Sequence, residues 1–211
     1  MQGRPPDVSR PMSDASRDGP SVNPSVLLDL LLQANQLKRV PRTGWLMRGL
    51  VDTESVSDHT FGVAFIALVL AEMAEAPVDV AKLLTVALIH DLAESILGDV
   101  PSPALSYFPP GAKETAEAEV LDEMVDGLPR LEHWRGWWRE FAHGSSVESR
   151  LVRDADRLDM LIQAYVYEQT TGNRWLEEFW AGAPDIAFES EAARTVFDAL
   201  FEARERSRRR A

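Results

Sequence analysis

The segment 87-ALIHDLAESILGD-99 places a histidine and three acidic side chains at the end of a strongly apolar stretch, in a chain that has only four histidines. Ionisable side chains are costly to bury unless they pair with one another or bind a metal. On a helix, His90 and Glu94 share one face with the apolar Leu83, and Asp91 beside them can turn toward the same point. We therefore expect this helix end to face inward and to carry chemistry.

A second histidine begins another apolar helix. Helical spacing places it at the head of an inward stripe formed by His59, Val63, Ile66, Leu70 and Met73. The chain has no cysteine, so nitrogen and oxygen atoms are the expected metal ligands. Two imidazoles and nearby carboxylates are a typical ligand set for a divalent cation. His133 and His143 stand among tryptophan, arginine and glutamate and are not expected to join this metal centre.

A further acidic ligand would complete the set, and 151-LVRDADRLDMLIQAYVYE-168 offers three candidates. Asp154, Asp156 and Asp159 all lie in a segment that is otherwise rich in apolar residues. Asp154 and Asp156 each line up with apolar neighbours at helical spacing, so either face could point inward. Periodicity alone does not choose among the three.

Composition limits the classes of function. The 211 residues are 45% hydrophobic, which suits one soluble globular domain. We see no run of about 18 apolar residues and no apolar leader of the signal-peptide type, so we expect a cytoplasmic protein without a membrane span. The formal net charge of −12 argues against a nucleic-acid polymer as partner, but a small anionic substrate remains possible.

The elements that must position these side chains are all predicted to be helices. Residues 1–22 are rich in Pro, Ser, Asp and Arg and are expected to form a disordered leader. No alternating apolar pattern typical of strands stands out, so we predict an all-α bundle of six or seven helices. The predicted helices begin near Asn23, near Ser55 or Ser57, and at Asp79 with an end at Gly98, and then cover about 112–128, 130–143, 147–171 and 187–208.

Four segments then resemble successive blocks of a known family. They are 38-KRVPRTGWLMRG-49, 54-ESVSDHTFGVA-64, 89-IHDLAESILGDVPSP-103 and 151-LVRDADRL-158. Together they resemble the 5′-deoxynucleotidase group of the HD-domain metal-dependent phosphohydrolases, over about residues 25–180. The resemblance implies an all-helical HD domain over 23–208, with a metal-binding core at about 25–180 and a C-terminal helix at about 187–208. It also implies a homodimer that hydrolyses (deoxy)nucleoside 5′-monophosphates to nucleoside and phosphate.

The resemblance assigns the metal ligands position by position. It implies that His59, His90, Asp91 and Asp156 hold one divalent cation, and the family block selects Asp156 where periodicity could not. Nitrogen and oxygen ligands admit Mn, Co, Mg, Fe or Zn, so the metal is not identified.

The same resemblance assigns roles around the metal. Glu94 matches the proposed general acid/base, and Asp99 matches a residue that contacts the sugar and helps to exclude ribonucleotides. We accordingly expect Glu94 and Asp99 to be catalytic, with Asp99 also contacting substrate. Ser102 falls in the same substrate-contacting loop.

One departure concerns the phosphate-binding arginine. The bacterial prototype has an arginine directly before the tryptophan, whereas Gly44 precedes Trp45 in this chain. The nearest arginines are Arg42 and Arg48, and both are expected to bind substrate. We assign the phosphate to Arg42 and expect Trp45 to form a wall of the substrate pocket.

Three other readings compete with this one. A hydrolase of guanosine tetraphosphate alarmones would be expected to carry HDxxED, whereas this chain has HDLAES with Ser95 in the second acidic position. A triphosphohydrolase of the same superfamily would differ in releasing tripolyphosphate from deoxynucleoside triphosphates. A catalytically silent HD domain that only binds nucleotides would leave the nucleotide intact.

Overall fold

The computed structural model describes residues 23–182 and 185–209. In these residues the chain forms ten α-helices and no β-strand, which confirms the predicted all-α class. The helices are α1 (Pro24–Gln36), α2 (Thr43–Leu46), α3 (Val56–Glu72), α4 (Val80–Ile89), α5 (Glu94–Leu97), α6 (Ser102–Leu105), α7 (Ala112–Met124), α8 (His133–His143), α9 (Val147–Thr171) and α10 (Glu191–Arg208). The predicted leader, residues 1–22, lies outside the described residues.

Seven of these helices are longer than one turn, in agreement with the predicted number, and three are four-residue turns: α2, α5 and α6. Short 3-10 segments at Leu37–Arg39, Pro129–Leu131 and Arg174–Trp180 complete the helical structure of the described chain. None of the helices in the described part is long and apolar enough to cross a membrane.

Side-chain caps fix where the helices begin. The Asn23 carboxamide caps α1, and Pro24 occupies its first turn, where a missing backbone N–H has no cost. Ser55 and Asp58 exchange hydrogen bonds at the start of α3 as a capping box. Asp79 caps α4. The cap of α3 fixes the start of the helix four residues before the first histidine, His59.

The core lies between three helices that cross one another. The central helix α3 packs against α4 and α9, and α8 and α10 cover the other sides of α9. The largest side chains that are fully buried there are Leu70, Leu83, Leu158, Leu161 and Leu176. A second apolar cluster, which includes Leu30, Ile89, Leu121, Val125 and Trp138, lies under α1, α7 and α8. The C-terminal end of α4 therefore reaches the junction of the two clusters.

The prediction that one helix runs from Asp79 to Gly98 was wrong. The helix α4 ends at Ile89, and after a tight turn the chain resumes as α5 at Glu94. The indole N–H of Trp138 donates a hydrogen bond to the carbonyl oxygen of His90 at 3.1 Å, while the backbone N–H of Glu94 binds the Asp91 carbonyl. The α-helical hydrogen bond between His90 and Glu94 is thus replaced, and the polar residues lie on the turn that joins α4 to α5.

Candidate metal centre and active site

The two predicted histidines meet in the interior. Their ring centroids are 5.5 Å apart, and both side chains are buried. One ligand atom from each of His59, His90 and Asp91 lies within 4.8 Å of the others. The Nε2 atoms of both rings are buried and have no hydrogen-bond partner. A buried polar atom without a partner costs about 1–3 kcal/mol, which binding of a cation by these Nε2 atoms would offset.

The other nitrogen of each ring is already engaged. Nδ1 of His59 lies 2.7 Å from Oδ2 of Asp159, and Nδ1 of His90 lies 2.7 Å from the carbonyl oxygen of Ala87. These acceptors favour a proton on Nδ1, which leaves the lone pair on Nε2 for a metal. Both imidazoles are thus arranged as Nε2 ligands that face a common point.

Two carboxylates approach the same point. Oδ2 of Asp91 lies 3.3 Å from Nε2 of His90 and 3.6 Å from Nε2 of His59. Oδ1 of Asp156 lies 3.2 Å from Nε2 of His59, at ion-pair distance. The Asp156 side chain is 38% exposed, so this edge of the site is open to solvent and to a substrate. Two nitrogen and two oxygen donors fit a divalent cation of the first transition row, or Mg²⁺.

The electrostatics of the site favour positive charge. Burial alone would lower the pKa of His59, but the neighbouring Asp156 and Asp159 carboxylates raise it to about 10. Burial also opposes ionisation of Asp91, yet the positive charges of His90 and Arg42 hold the pKa of its carboxyl well below the usual range. The site therefore attracts a proton when it has no cation, and a divalent ion would supply that charge instead.

The three aspartates of α9 have three different surroundings. Asp154 is fully buried and accepts hydrogen bonds from the backbone N–H groups of Glu189 and Ser190, at the start of α10. Asp156 faces Nε2 of His59, and Asp159 faces Nδ1 of the same ring. The structure brings Asp156 toward the predicted metal position and directs Asp154 away from it.

Glu94 is buried beside the metal ligands. The residue is 1% exposed; its Oε1 is 3.4 Å from Nζ of Lys113, and its Oε2 is 3.8 Å from Nη1 of Arg42. Burial, together with the negative charge of Asp91, raises the pKa of the Glu94 carboxyl to about 8, although Lys113 opposes this shift. A carboxyl that titrates near neutral pH is suited to proton transfer.

Arg42 reaches the same group of carboxylates from the loop before α2. Its Nη1 lies 3.3 Å from Oδ2 of Asp91 and 3.4 Å from Oδ1 of Asp99. Asp99 also accepts a hydrogen bond from the backbone N–H of Thr43 at 2.5 Å, and its carbonyl oxygen accepts one from the Thr43 hydroxyl at 2.8 Å. Asp99 thus ties the arginine-bearing loop to the segment that follows α5.

Two other predicted substrate residues, Arg48 and Ser102, line an adjacent cleft of about 300 Å³. It is lined by Gly44, Arg48, Pro101, Ser102, Pro103, Met160, Glu178 and Phe179. Met160 is one helical turn from Asp156, so the cleft adjoins the metal centre. The Arg48 guanidinium binds Glu178 at 2.5 Å and lies 5.0 Å from the centroid of Phe179, so it forms part of the cleft wall and not of the carboxylate cluster.

The structure does not place Trp45 on the pocket wall as predicted. The residue is only 2% exposed, and its indole N–H donates to Oε1 of Glu54 at 2.8 Å. Its ring packs against Phe179, 4.2 Å away between centroids, and against Tyr167. These partners, distant in the sequence, enclose the indole in the core, and Phe179 lines the cleft in its place.

Two residues of the site, Thr43 and Lys113, were not predicted, and the contact of Asp159 with His59 was not predicted either. Lys113 and Glu117 are spaced as an ion pair on one helix, and Asp159 was considered only as an alternative ligand. The sequence had no signal that would place Lys113 next to Glu94, because their contact depends on how α7 packs beside α5.

A bundle of helices in which two histidines and neighbouring aspartates converge defines a metal-binding helical domain. The sequence model of the HD domain matches residues 34–193. The chain belongs to the HD domain family, whose members are metal-dependent.

Several known proteins are similar to this chain. The 5′-deoxynucleotidase HDDC2 of Danio rerio is 38% identical over 157 residues, which cover 73% of this chain and 76% of the relative. The human protein of the same name is 37% identical over 145 residues, covering 67% of this chain and 68% of the relative. A solved structure of a conserved hypothetical protein from Pyrococcus furiosus superposes with a TM-score of 0.71 at 41% identity, covering 84% of this chain and 99% of that chain.

Proposed function

We propose that this protein is a metal-dependent phosphomonoesterase that hydrolyses deoxynucleoside 5′-monophosphates to nucleoside and phosphate. The observation that carries the proposal is the convergence of the His59, His90 and Asp91 ligand atoms within 4.8 Å, beside a buried carboxyl and an arginine. The relatives named 5′-deoxynucleotidase support the substrate class.

The metal is the first component of the proposed mechanism. His59, His90, Asp91 and Asp156 would hold one divalent cation, which when bound supplies stabilisation for negative charge on the phosphoryl group. Because Asp156 is the most exposed of the four, the substrate would approach from its side. The native metal stays unassigned among Mn, Co, Mg, Fe and Zn.

Arg42 is proposed to receive the phosphate. Its guanidinium already lies among carboxylates at the centre, with Nη1 3.3 Å from Asp91. A phosphate dianion that enters from the open edge can take two parallel hydrogen bonds from this planar group. The bond between Asp99 and the Thr43 backbone holds the arginine-bearing loop in place for that contact.

Glu94 is proposed to transfer the proton. Burial and the charge of Asp91 raise the pKa of its carboxyl in the metal-free site to about 8, and its place beside the proposed metal ligands suits it to donate a proton to the leaving 5′-oxygen. Lys113, which Glu117 holds at 2.9 Å, restrains Oε1 of Glu94 so that Oε2 faces Arg42 and the site of reaction.

The cleft beside Asp156 is proposed to receive the nucleoside. Ser102 and Met160 line it, and Asp99 lies between it and the metal ligands through its bonds to Thr43. A carboxylate that is already bound to the backbone has little freedom to move away from an added 2′-hydroxyl. This restraint supports the predicted role of Asp99 in excluding ribonucleotides.

A phosphate-release screen tests the proposal. The protein would be incubated with every deoxy- and ribonucleoside 5′-monophosphate and every deoxynucleoside triphosphate in turn, each with Mn²⁺, Co²⁺, Mg²⁺, Fe²⁺ or Zn²⁺. We expect inorganic phosphate from the deoxynucleotides, with a lower kcat/KM for the ribonucleotides. Absence of phosphate with every metal, or release of tripolyphosphate from deoxynucleoside triphosphates alone, would contradict it.

We also propose that residues 23–208 act as a single HD domain that forms a homodimer in the cytoplasm. The helix α8 carries three tryptophans, but Trp138 among them is only 3% exposed, so this segment offers little free apolar surface at that position. A stripe at four-residue spacing along α3 and its C-cap is a better candidate: Phe61, Phe65, Val69 and Met73 are all exposed, so Met73 does not face inward as predicted. Since each copy carries a formal charge of −12, contact between copies is favoured at such an uncharged stripe.

Sedimentation velocity tests the dimer. Phe65→Glu should convert a dimer to a monomer, whereas Val51→Glu, which changes an exposed apolar side chain outside the stripe, should leave it intact. A monomeric wild type, or a Phe65→Glu variant that stays dimeric, would exclude this interface.

A further inference from the structure

The two imidazoles of the metal centre are oriented by different means. Nδ1 of His90 contacts the carbonyl oxygen of Ala87, three residues earlier on its own helix. Nδ1 of His59 instead contacts Oδ2 of Asp159 at 2.7 Å, and Asp159 lies 100 residues away in the sequence, on α9. The orientation of His59 therefore depends on a side chain from another helix.

Asp159 reaches this position because α3 has a glycine, and so no side chain, where it lies against Asp159. A Cβ atom added at Gly62 would lie 2.0 Å from Oδ1 and 2.8 Å from Cγ of Asp159. Gly62 is in the middle of α3, three residues after His59, and its φ is not positive. Close approach of the carboxylate, and not backbone freedom, thus accounts for glycine in a helix where alanine would be a better helix former.

Asp159 is not placed to act as a further metal ligand at the centre. Its Oδ2 is taken by the Nδ1 side of His59, whereas the unpaired Nε2 faces Asp91 and Asp156. Glu54 lies near the same side of the ring, but its Oε1 accepts the indole N–H of Trp45. The carboxylate thus acts through the imidazole and does not share its metal.

We infer that Asp159 is a positioning residue: it holds the proton of His59 on Nδ1 and so directs Nε2 toward the metal. The missing side chain at Gly62 leaves the space that the Asp159 carboxylate occupies. A carboxylate behind a metal-binding imidazole raises its basicity and fixes its rotation, and loss of such a partner typically weakens metal binding about 10- to 100-fold. The effect of Asp159 on metal binding rests on the proposed function. The packing of Asp159 against Gly62 does not.

The first experiment measures metal affinity. Wild type, Asp159→Ala and Gly62→Ala would be titrated with Co²⁺ alone by calorimetry, with circular dichroism to confirm folding. We expect both variants to bind Co²⁺ about 10- to 100-fold more weakly than wild type, although neither residue touches the ion. Gly136→Ala is the matched control, because Gly136 is also in a helix and a Cβ there would meet nothing within 4 Å. Wild-type affinity in folded Asp159→Ala would overturn the inference.

The second experiment is a double-mutant cycle on thermal unfolding of the metal-free protein. Gly62→Ala should lower Tm in the wild-type background, because the methyl group displaces the Asp159 carboxylate. In the Asp159→Ala background the same substitution should leave Tm unchanged or raise it, because the obstacle is gone and alanine favours a helix. Gly136→Ala should have the same effect in both backgrounds. An equal loss of Tm from Gly62→Ala in both backgrounds would overturn the inference.

The two proposals fail in different ways. If wild type releases no phosphate from any nucleotide but the two experiments give the expected results, the proposed function is wrong and the role of Asp159 stands. If phosphate is released and Asp159→Ala binds Co²⁺ as wild type does, the role of Asp159 is wrong and the proposed function stands.

Discussion

Nη1 of Arg42 lies 3.3 Å from Oδ2 of Asp91, the carboxylate oxygen that also faces Nε2 of both His59 and His90. A guanidinium and two imidazoles thus surround one oxygen atom. His59, His90 and Asp91 would hold the proposed cation, and Arg42 contacts one of these ligands directly. That position is where a phosphoryl oxygen bound to the protein would need a second positive partner.

Substitution of Arg42 tests this position. We expect Arg42→Ala to lower kcat/KM for a deoxynucleoside monophosphate by roughly 10- to 100-fold, because a charge-assisted hydrogen bond contributes about 1.5–3 kcal/mol. Arg48→Ala is the comparison, since Arg48 is paired with Glu178 on the cleft wall and should matter less. A larger loss from Arg48→Ala than from Arg42→Ala would reverse the assignment. Steady-state phosphate release measures both.

Glu94→Gln separates proton transfer from metal binding. The variant keeps the size of the side chain but cannot donate a carboxyl proton, so we expect kcat to fall about 10²- to 10⁴-fold. Since Glu94 is not a proposed ligand, metal content by atomic emission should equal that of wild type. An active Glu94→Gln enzyme would show that another group transfers the proton.

The raised pKa of Glu94 also predicts how the stability of the metal-free protein depends on pH. The folded carboxyl has a pKa of about 8, against the usual 4.5, so between these values the folded state holds a proton that the unfolded state has lost. Stability from this group is full below pH 4.5 and is lost as pH rises to 8, with a slope of at most about 1.4 kcal/mol per pH unit. In urea unfolding, the free energy of unfolding should fall less between pH 4.5 and pH 8 for Glu94→Gln than for wild type. If wild type and Glu94→Gln had the same dependence of unfolding free energy on pH, the raised pKa of Glu94 would be contradicted.

Lys113 affects the pH at which this stability is lost, because it lowers the pKa of Glu94. Its ammonium group, 3.4 Å from Oε1 of Glu94, lowers the pKa of that carboxyl against the effect of burial. Lys113→Met should therefore move the loss of stability that belongs to Glu94 to higher pH. The same urea titrations measure this shift, and a profile that stays unchanged or moves to lower pH would show that Lys113 does not lower the pKa of Glu94.

Local sequence patterns were sufficient for most of the helical framework. Asn23, Ser55 and Asp79 begin helices as predicted, and the long helix Val147–Thr171 has the predicted bounds, since caps and apolar periodicity are local signals. The break after Ile89 was not predictable in this way. It depends on the indole of Trp138, which binds the carbonyl of a residue 48 positions away.

The site shows the same division. The two histidines and Asp91 could be identified from helical spacing, because they lie at helix ends beside apolar stripes. The choice among the three aspartates of α9 could not, because it depends on what faces each one: the start of α10 for Asp154, and opposite sides of His59 for Asp156 and Asp159. The burial of Trp45 was not predictable either, because the aromatic rings that enclose it come from α9 and the segment after it.

The central claim is that four distant side chains share one divalent cation beside Glu94. Anomalous diffraction from crystals grown with Co²⁺ tests it most directly. We predict one strong peak per chain at about 2.0–2.3 Å from Nε2 of both His59 and His90, with oxygens of Asp91 and Asp156 in its coordination shell. A map with no peak between the two imidazoles, while Co²⁺ binds elsewhere on the protein, would contradict the account.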